Sequence, residues 1–338
     1  MFVIGIDPHK RSHTAAVLDD EEQLVGELRV LADRRQRDRL LEFAKPFTPR
    51  TWAIEAASGL GSLLAQQLVA AGETVLDVPP ALSARVRVLD SGHNDKNDAH
   101  DARSAAVVAM RHSKLHTVTE SDHAQVLRLL TDRHRQLSRA RTQAVNRLHA
   151  LLAGMLEGGL PRGLSADRAA VAMRRIRPGS PLDIERKRIA AEVLADVRRL
   201  DRQLKDLRSR IVVAVEASGT TVTTVEGVGP VVAAIICGRV GDVRRFPSAG
   251  HFARYNGTAP VEASSGPKVR HRLNRRGDRQ LNHALHIAAI AQLAHDTAGR
   301  AYFERKLAEG KSKKEAIRTL KRRISDAVFR QLVLDARN

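Results

Sequence analysis

The hydrophobic and polar positions fall into three regimes along the chain. In the first, short apolar runs alternate with helical patterns. Residues 2–7 (FVIGID) read as a buried strand, and 12–18 (SHTAAVL) and 24–32 (LVGELRVLA) predict two more, joined by the polar turn Asp19-Asp20-Glu21-Glu22. Residues 34–45 carry helical spacing, and TWAIEAA (51–57) is a fourth strand. Ser58-Gly59 then leads into a helix with Leu60, Leu63, Leu64 and Leu68 on one face. TVLDV (74–78) predicts a fifth strand, stopped by Pro79-Pro80; a helix follows from Ala81 and another covers 95–112. In the second regime strand character disappears. Leu127, Leu130, Leu137, Ala144, Leu148, Leu151 and Met155 keep helical spacing, and a Gly/Pro-rich break follows. Val193, Val197, Leu200, Leu204, Leu207, Ile211 and Ala214 then form a heptad seam. In the third regime, VTTVEGVGPVVAAIICGRV (222–240) has a Gly227-Val228-Gly229 turn with Pro230 well placed to open the next helix, the pattern of a helix-hairpin-helix. Residues 257–281 hold a Ser-Ser-Gly turn and a run of arginines, and 282–334 are helical and basic.

The order β-β-β-α-β-α-β-α is that of a ribonuclease H-like fold. The pattern therefore predicts an α/β domain over 1–115, a helical coiled-coil linker or oligomerisation segment over 116–218, and a mainly α domain over 219–338 with the helix-hairpin-helix. The long helices suit either an antiparallel hairpin or an oligomerising coiled coil, and a plain helical bundle would have the same spacing.

Charge sharpens this division. The chain of 338 residues has a formal net charge of +19, but residues 1–120 carry 15 basic and 17 acidic side chains, against 42 and 21 in the remainder. A near-neutral first third on a strongly basic remainder suggests a catalytic domain joined to a polyanion-binding one. The longest apolar run, Val231 to Cys237, is far too short for a bilayer span, and MFVIGIDPHK lacks the features of a signal peptide. The one cysteine, Cys237, leaves no disulfide framework and no Cys-rich zinc site, and reads as core filler. These features lead us to expect a cytoplasmic protein, nucleoid-associated in a prokaryote, with no membrane partner.

Four carboxylates carry the candidate chemistry. Asp7 and Glu55 end apolar runs, and Asp98 and Asp101 share one face of a predicted helix at i and i+3. Oxygen donors gathered in this way suit a hard divalent cation, Mg²⁺ or Mn²⁺, acting on a phosphodiester. Asp95 and Asp98 have the same spacing, and composition does not choose between the pairs. His9, His13, His93 and His100 lie nearby and are read as non-ligands. Gly227 and Gly229 would let backbone N–H groups approach a phosphate, or serve only a tight turn into a core helix. Ser264 and Ser265 are turn residues by position; either could instead be a nucleophile, with Lys268, Arg270, Arg272 and Arg276 among the cations that could clamp a phosphate.

GIDPHK, AIEAASG and DKNDAHDA, followed by VEGVGPVVAAIICGRVGDVRRFPSAGHFARYNGTAPVEASSG and the basic run to RRGDRQLNHAL, resemble the DEDD transposases of one insertion-sequence family, which also includes the Piv/MooV DNA invertases. The resemblance spans nearly the whole chain apart from 158–190. It implies a RuvC-like N-terminal domain that binds Mg²⁺ through Asp7, Glu55, Asp98 and Asp101. The family's Lys-x-Asp-x-x-Asp-Ala motif selects Asp98 over Asp95, with Asn97 standing where a small Thr or Ser is usual. It implies that Ser265, with Ser264 the less favoured neighbour, attacks DNA to form a covalent phosphoserine, the RuvC-like site of one subunit working beside the serine of another. It also implies a structured bridge RNA that pairs with target and donor DNA, and assembly into dimers and tetramers through the coiled-coil segment. The expected protein is thus a transposase and site-specific recombinase. A metal-only RuvC-like nuclease such as a Holliday-junction resolvase, and a non-catalytic nucleic-acid-binding protein, are the alternatives.

Overall fold

The computed structural model describes every residue except 92–97, 121–122, 158, 161–162, 263–270, 273, 275–276 and 338; within elements, the side chains of 89–91, 98, 261–262 and 271–272 are likewise outside the description. The chain divides into two compact units, Met1–Asp122 and His123–Asn338.

The first unit contains, in order, β1 (Phe2–Pro8), β2 (Ser12–Leu18), β3 (Leu24–Leu31), α1 (Gln36–Ala44), β4 (Arg50–Glu55), α2 (Ser62–Val69), β5 (Val75–Val78), α3 (Pro80–Ser91), α4 (Asp98–Arg111) and β6 (His116–Thr117). The strands form one mixed sheet in the order β3-β2-β1-β4-β5-β6, with β1, β4 and β5 parallel and the other pairs antiparallel. The two-residue repeat of each strand sorts its side chains between two cores. Ile4, Ile6, Trp52 and Ile54 pack with Leu40 of α1 and Leu64 and Leu68 of α2. Val3, Ala53 and Val78 pack on the opposite face with Ala105, Ala106 and Val108 of α4. Trp52 is fully buried and spends its one polar atom on Glu73, its indole N–H donating at 2.7 Å. Burial would raise the Glu73 pKa, but the bonds from Arg50 and Trp52 outweigh it and hold the carboxyl below its usual range.

The strand expected over 51–57 ends at Glu55, because Ala56 adopts the left-handed conformation at φ 51°. A sixth strand, β6, was not expected; two exposed residues carry no readable alternation.

In the second unit α5 (His123–Ala153), α6 (Ala166–Arg175) and α7 (Pro181–Ala217) are followed by a 3₁₀ turn at Val222–Thr224, α8 (Pro230–Val240), α9 (Ala249–Tyr255), β7 (Val261–Glu262), β8 (His271–Arg272), α10 (Arg279–Ala294), α11 (Ala298–Ala308) and α12 (Lys313–Asp335). Arg141 pairs with Asp201, and Gly154 lies beside Arg186, so α5 and α7 run antiparallel within the chain. The buried side of α7 is Ala190, Leu194, Val197, Leu200, Leu204, Leu207, Ile211 and Val215. Its middle matches the heptad seam; at the ends Val193 and Ala214 are partly buried and pack against the same core, with their neighbours Leu194 and Val215 more deeply buried. One continuous apolar cluster runs from Leu127 to Leu332, so segments 116–218 and 219–338 share a core. α8 meets α5 at Gly238, where an added Cβ would stand 2.6 Å from the Arg128 amide nitrogen. The stretch read as a helix-hairpin-helix has the 3₁₀ turn in place of a first helix of its own, followed by Gly227 and α8.

α4 and β1 approach closely at Gly5. A Cβ added at Gly5 would overlap the Ala102 carbonyl oxygen and stand 2.8 Å from the Ala106 amide nitrogen, both rigid backbone atoms. Gly5→Ala must therefore lift α4 off the sheet. It is expected to lower stability by about 1–3 kcal/mol or more, read from urea denaturation; wild-type stability in this variant would refute the contact.

Candidate functional site

Asp7 lies one residue from the end of β1, and Glu55 is the last residue of β4. The strands are parallel neighbours with Gly5 opposite Ala53 and Ile6 opposite Ile54, so the next pair in register is Asp7 and Glu55. Strand alternation puts both on the face of Val3, Gly5 and Ala53, the face that α4 covers. Asp101 lies in the first turns of α4, immediately before the Ala102 that touches Gly5. Asp98 opens α4 one turn earlier; its side chain, with Asp95, His93 and Lys96, lies outside the described residues. Three of the four carboxylates thus come from adjacent strand ends and the helix lying over them.

The loop after Glu55 is tightly specified. Ala56 donates its N–H to Val78 O at 2.9 Å, and Ala57 donates to the Asp77 carboxylate at 2.8 Å. Gly61 is pressed against Ile54 and Pro8, leaving 2.6 Å between an added Cβ and Ile54 Cγ2. The turn that follows β4 is therefore wedged against the end of β1.

Asp7 and Asp101 are 7% and 3% exposed. His9 Nδ1 stands 3.3 Å from Asp7 Oδ2, and Arg87 of α3 pairs with Asp101. Arg87 carries no signal in the sequence, because no spacing rule links an arginine on one helix to an acid on the next. Among the described residues no three His, Cys, Asp or Glu side chains converge closely enough to hold a metal by themselves. The donor chemistry, hard carboxylate oxygens on one sheet face, nevertheless suits a divalent cation. His13, on β2, is buried and shares a 2.9 Å hydrogen bond with Gln36, away from the metal question.

The serine region is built differently. β7 and β8 pair as a short antiparallel hairpin, Val261 opposite Arg272 and Glu262 opposite His271. Ser264, Ser265, Lys268 and Arg270 fall in the connection between them; with Arg276, they lie outside the described residues, and Arg272 is placed only as part of β8. The feet of the hairpin are fixed. Gly277 packs on Gly257 so closely that an added Cβ would be 2.6 Å from Gly257 Cα, and Gly257 itself is left-handed at φ 72°. Fully buried Asn256 donates to Ser325 at 2.7 Å and accepts from the Thr258 hydroxyl at 2.7 Å. Asn282 donates to Asn256 O at 2.8 Å, and the Asp278 N–H donates to Tyr255 O at 2.7 Å. The Asn256-Gly257 dipeptide is the sequence signal that could have located this turn.

Gly227 and Gly229 part company. Gly227 is left-handed at φ 79°, and an added Cβ would overlap the Ala288 carbonyl oxygen of α10, so its missing side chain serves packing. Gly229 caps α8 with open space around its α-carbon.

Two outcomes follow from these geometries. Removing the guanidinium leaves a buried carboxylate unpaired, so Arg87→Met is expected to destabilise the protein by roughly 3 kcal/mol. The double variant Arg87→Met/Asp101→Asn should recover much of that loss in a double-mutant cycle read by urea denaturation, and additive losses would refute the coupling. Burial lowers the His13 pKa from 6.5. The unfolded chain then binds the proton more readily. His13's contribution to stability is full above pH 6.5 and is lost as pH falls through the folded-state value. Thermal melts should show this decline in the wild type and a shallower one in His13→Gln.

The sequence matches two family models, one described as "Transposase" over residues 4–156 and one as "Transposase IS116/IS110/IS902 family" over 219–304. A 44.8 kDa protein of insertion element IS116 from Streptomyces clavuligerus is 27% identical, the alignment covering 97% of this chain and 94% of that one. A 42 kDa protein of insertion element IS900 from Mycobacterium paratuberculosis is also 27% identical, with the same coverage. The transposase for insertion sequence element IS1328 from Yersinia enterocolitica is 23% identical over 76% of this chain and 75% of its own. Two solved structures of Thermus thermophilus RuvC, one in complex with a Holliday junction substrate, each align with 35% of the chain, at 18% and 19% identity and TM-scores of 0.27 and 0.28. With the two models in sequence over more than half of its length, the chain belongs to the IS116/IS110/IS902 family of transposases, enzymes that cleave DNA and transfer its strands.

Proposed function

We propose that this transposase is a serine recombinase, guided by a bridge RNA, that moves an insertion sequence through a covalent phosphoserine intermediate. The observation that carries the metal half of this reading is the parallel β1/β4 pair, which sets Asp7 and Glu55 side by side beneath the helix bearing Asp98 and Asp101. These four carboxylates would hold Mg²⁺ or Mn²⁺. When bound, the ion would supply charge stabilisation at a DNA phosphate. Arg87 competes for Asp101, so cation binding and that ion pair are alternatives at one oxygen.

The second half rests on the hairpin. A nucleophile must be presented to a large, stiff substrate on a support that does not yield. The Gly257–Gly277 contact and the Asn256 network provide such a support for the segment that contains Ser265. In the step proposed, Ser265 Oγ attacks a DNA phosphorus. The serine–phosphorus ester forms as the strand's P–O bond breaks, and the serine's proton ends on the departing strand oxygen. Rejoining reverses these events with a new strand end. Lys268, Arg270, Arg272 and Arg276 follow the serine closely and would neutralise the phosphate. Target and donor DNA would be chosen by base pairing with the RNA, with the basic helices of 121–215 holding backbones. Dimers and tetramers would bring the serine of one subunit to the acids of another.

The decisive measurement is mass spectrometry of the full chain trapped on DNA. The expected adduct maps to Ser265, is absent in Ser265→Ala, and is lost with all strand cleavage in Asp7→Ala. If Ser265→Ala still cleaves while Asp7→Ala does not, the enzyme is a metal-only nuclease. Recombination that survives RNase treatment, in protein prepared without co-expressed RNA, would remove the guide from the scheme.

A further inference from the structure

At the foot of the serine hairpin a cavity of about 430 Å³ opens between the Gly257–Pro260 turn, Asn282 of α10, Tyr302 of α11 and the first turns of α12. Its charge is one-sided. Among the described residues, Lys311, Arg318, Lys321, Arg322 and Arg323 line it, against one carboxylate, that of Glu315. That carboxylate is already engaged in the α12 capping box, accepting from the Ser312 N–H at 2.9 Å and the Ser312 hydroxyl at 2.6 Å. Arg322 pairs with Asp326 at 3.1 Å. Among the described residues no carboxylate pairs with Arg318, Lys321 or Arg323.

Lys321 is the informative member. It is half-buried, and its ammonium donates to a neutral partner, Asn282 Oδ1, at 2.6 Å. Burial holds its pKa below the ordinary lysine range. Asn282 in turn donates to Asn256 O, so the lysine is tied to the network that fixes the hairpin. Arg323 stacks over the Tyr302 ring, 4.4 Å from its centroid, which limits the guanidinium's freedom at the cavity wall. Lys321 sits where water is partly excluded, with the exposed Arg318 and Arg323 beside it, so it loses hydration and is repelled by its neighbours. A bound anion offsets both costs. A point-charge ammonium beside planar guanidinium forks is a phosphate-recognising donor set.

We propose that this cavity is a subsite for one phosphodiester group of a nucleic-acid strand, held by Lys321, Arg318 and Arg323 at the foot of the hairpin that carries Ser265. The cavity is of single-ligand size, which suits one backbone phosphate with its sugar and not a duplex. The proposal rests on the reading that nucleic acid reaches this hairpin, and it requires nothing of Ser265 as a nucleophile. The subsite would set the register of a strand against the hairpin without reading its bases.

The test uses the full chain and two labelled single-stranded oligonucleotides of matched sequence, one DNA and one RNA. Their binding is followed by fluorescence anisotropy across a salt series. Lys321→Met is expected to weaken binding roughly tenfold near 0.1 M salt and to reduce the slope of log K against log salt by about 1, the signature of one lost phosphate contact. Arg34→Met, which removes an exposed charge from the first unit, should leave both unchanged. Lys321→Arg should restore most of the slope. An effect on DNA alone or RNA alone supports the subsite and names its strand. A wild-type slope in Lys321→Met with both strands overturns it. Lys321 in the unmodified protein provides a second readout: its acetylation by an N-hydroxysuccinimide ester should be slowed by the oligonucleotide that binds, and undiminished labelling overturns the subsite whatever the variant's fold. Loss of the Ser265 adduct with this protection intact would condemn the nucleophile and leave the subsite standing.

Discussion

The contact on which the acidic site depends is that of two backbones. α4 can lie directly on β1 only because residue 5 has no side chain, and Ala102 and Ala106 present no bulk in return. This approach decides how far Asp101 stands from the strand that carries Asp7. A larger residue at position 5 would raise the helix and carry its carboxylates away with it. The remaining features of the first unit support the same arrangement. On the α4 face Gly5 and its register partner Ala53 are small, Val3, Leu18 and Val78 fill the same face around them, and Ile4, Ile6, Trp52 and Ile54 fill the opposite face. The close approach is local: Gly5 leaves room for Ala102 and Ala106 of α4, and larger side chains fill the sheet around it.

Much of this was readable from residue order because it rests on local periodicities. Apolar runs bounded by polar turns locate β1 to β5, and the acids Asp7 and Glu55 stand at the ends of two of them. What resisted reading was tertiary. Arg87 reaches Asp101 only because α3 packs on α4. β6 is too short to have a period. The seam of α7 is legible along its length, but spacing does not tell that Leu194 and Val215 are buried more deeply than the seam residues Val193 and Ala214 beside them. Gly227 shows the same limit from the other side. A glycine-rich turn before a helix looks identical whether it approaches a phosphate or a neighbouring helix, and the partner at this position is the backbone of α10.

The second unit solves a different mechanical problem. A hairpin of two short strand segments has little stability alone. Here its feet are joined by glycine backbones in contact and by an asparagine that satisfies donors and acceptors on three sides. Buried amide groups are costly when unsatisfied and rigid when satisfied. Asn256 therefore concentrates rigidity at the base of the hairpin, where it also fixes Asn282 and, through it, Lys321. Position is specified at the base, and the residues proposed for chemistry are carried beyond it.

The division of charge follows from what the two units must hold. A set of carboxylates able to receive a cation loses that ability if abundant lysines and arginines neutralise it first. The first 120 residues carry nearly equal numbers of acids and bases, and the described partner of Asp101 is one arginine on a neighbouring helix. A surface that grips polyanions needs the opposite, cations in excess of the carboxylates beside them, as around Lys321. The two requirements conflict within a single core. Placing them in separately packed units lets each electrostatic environment be set without spoiling the other.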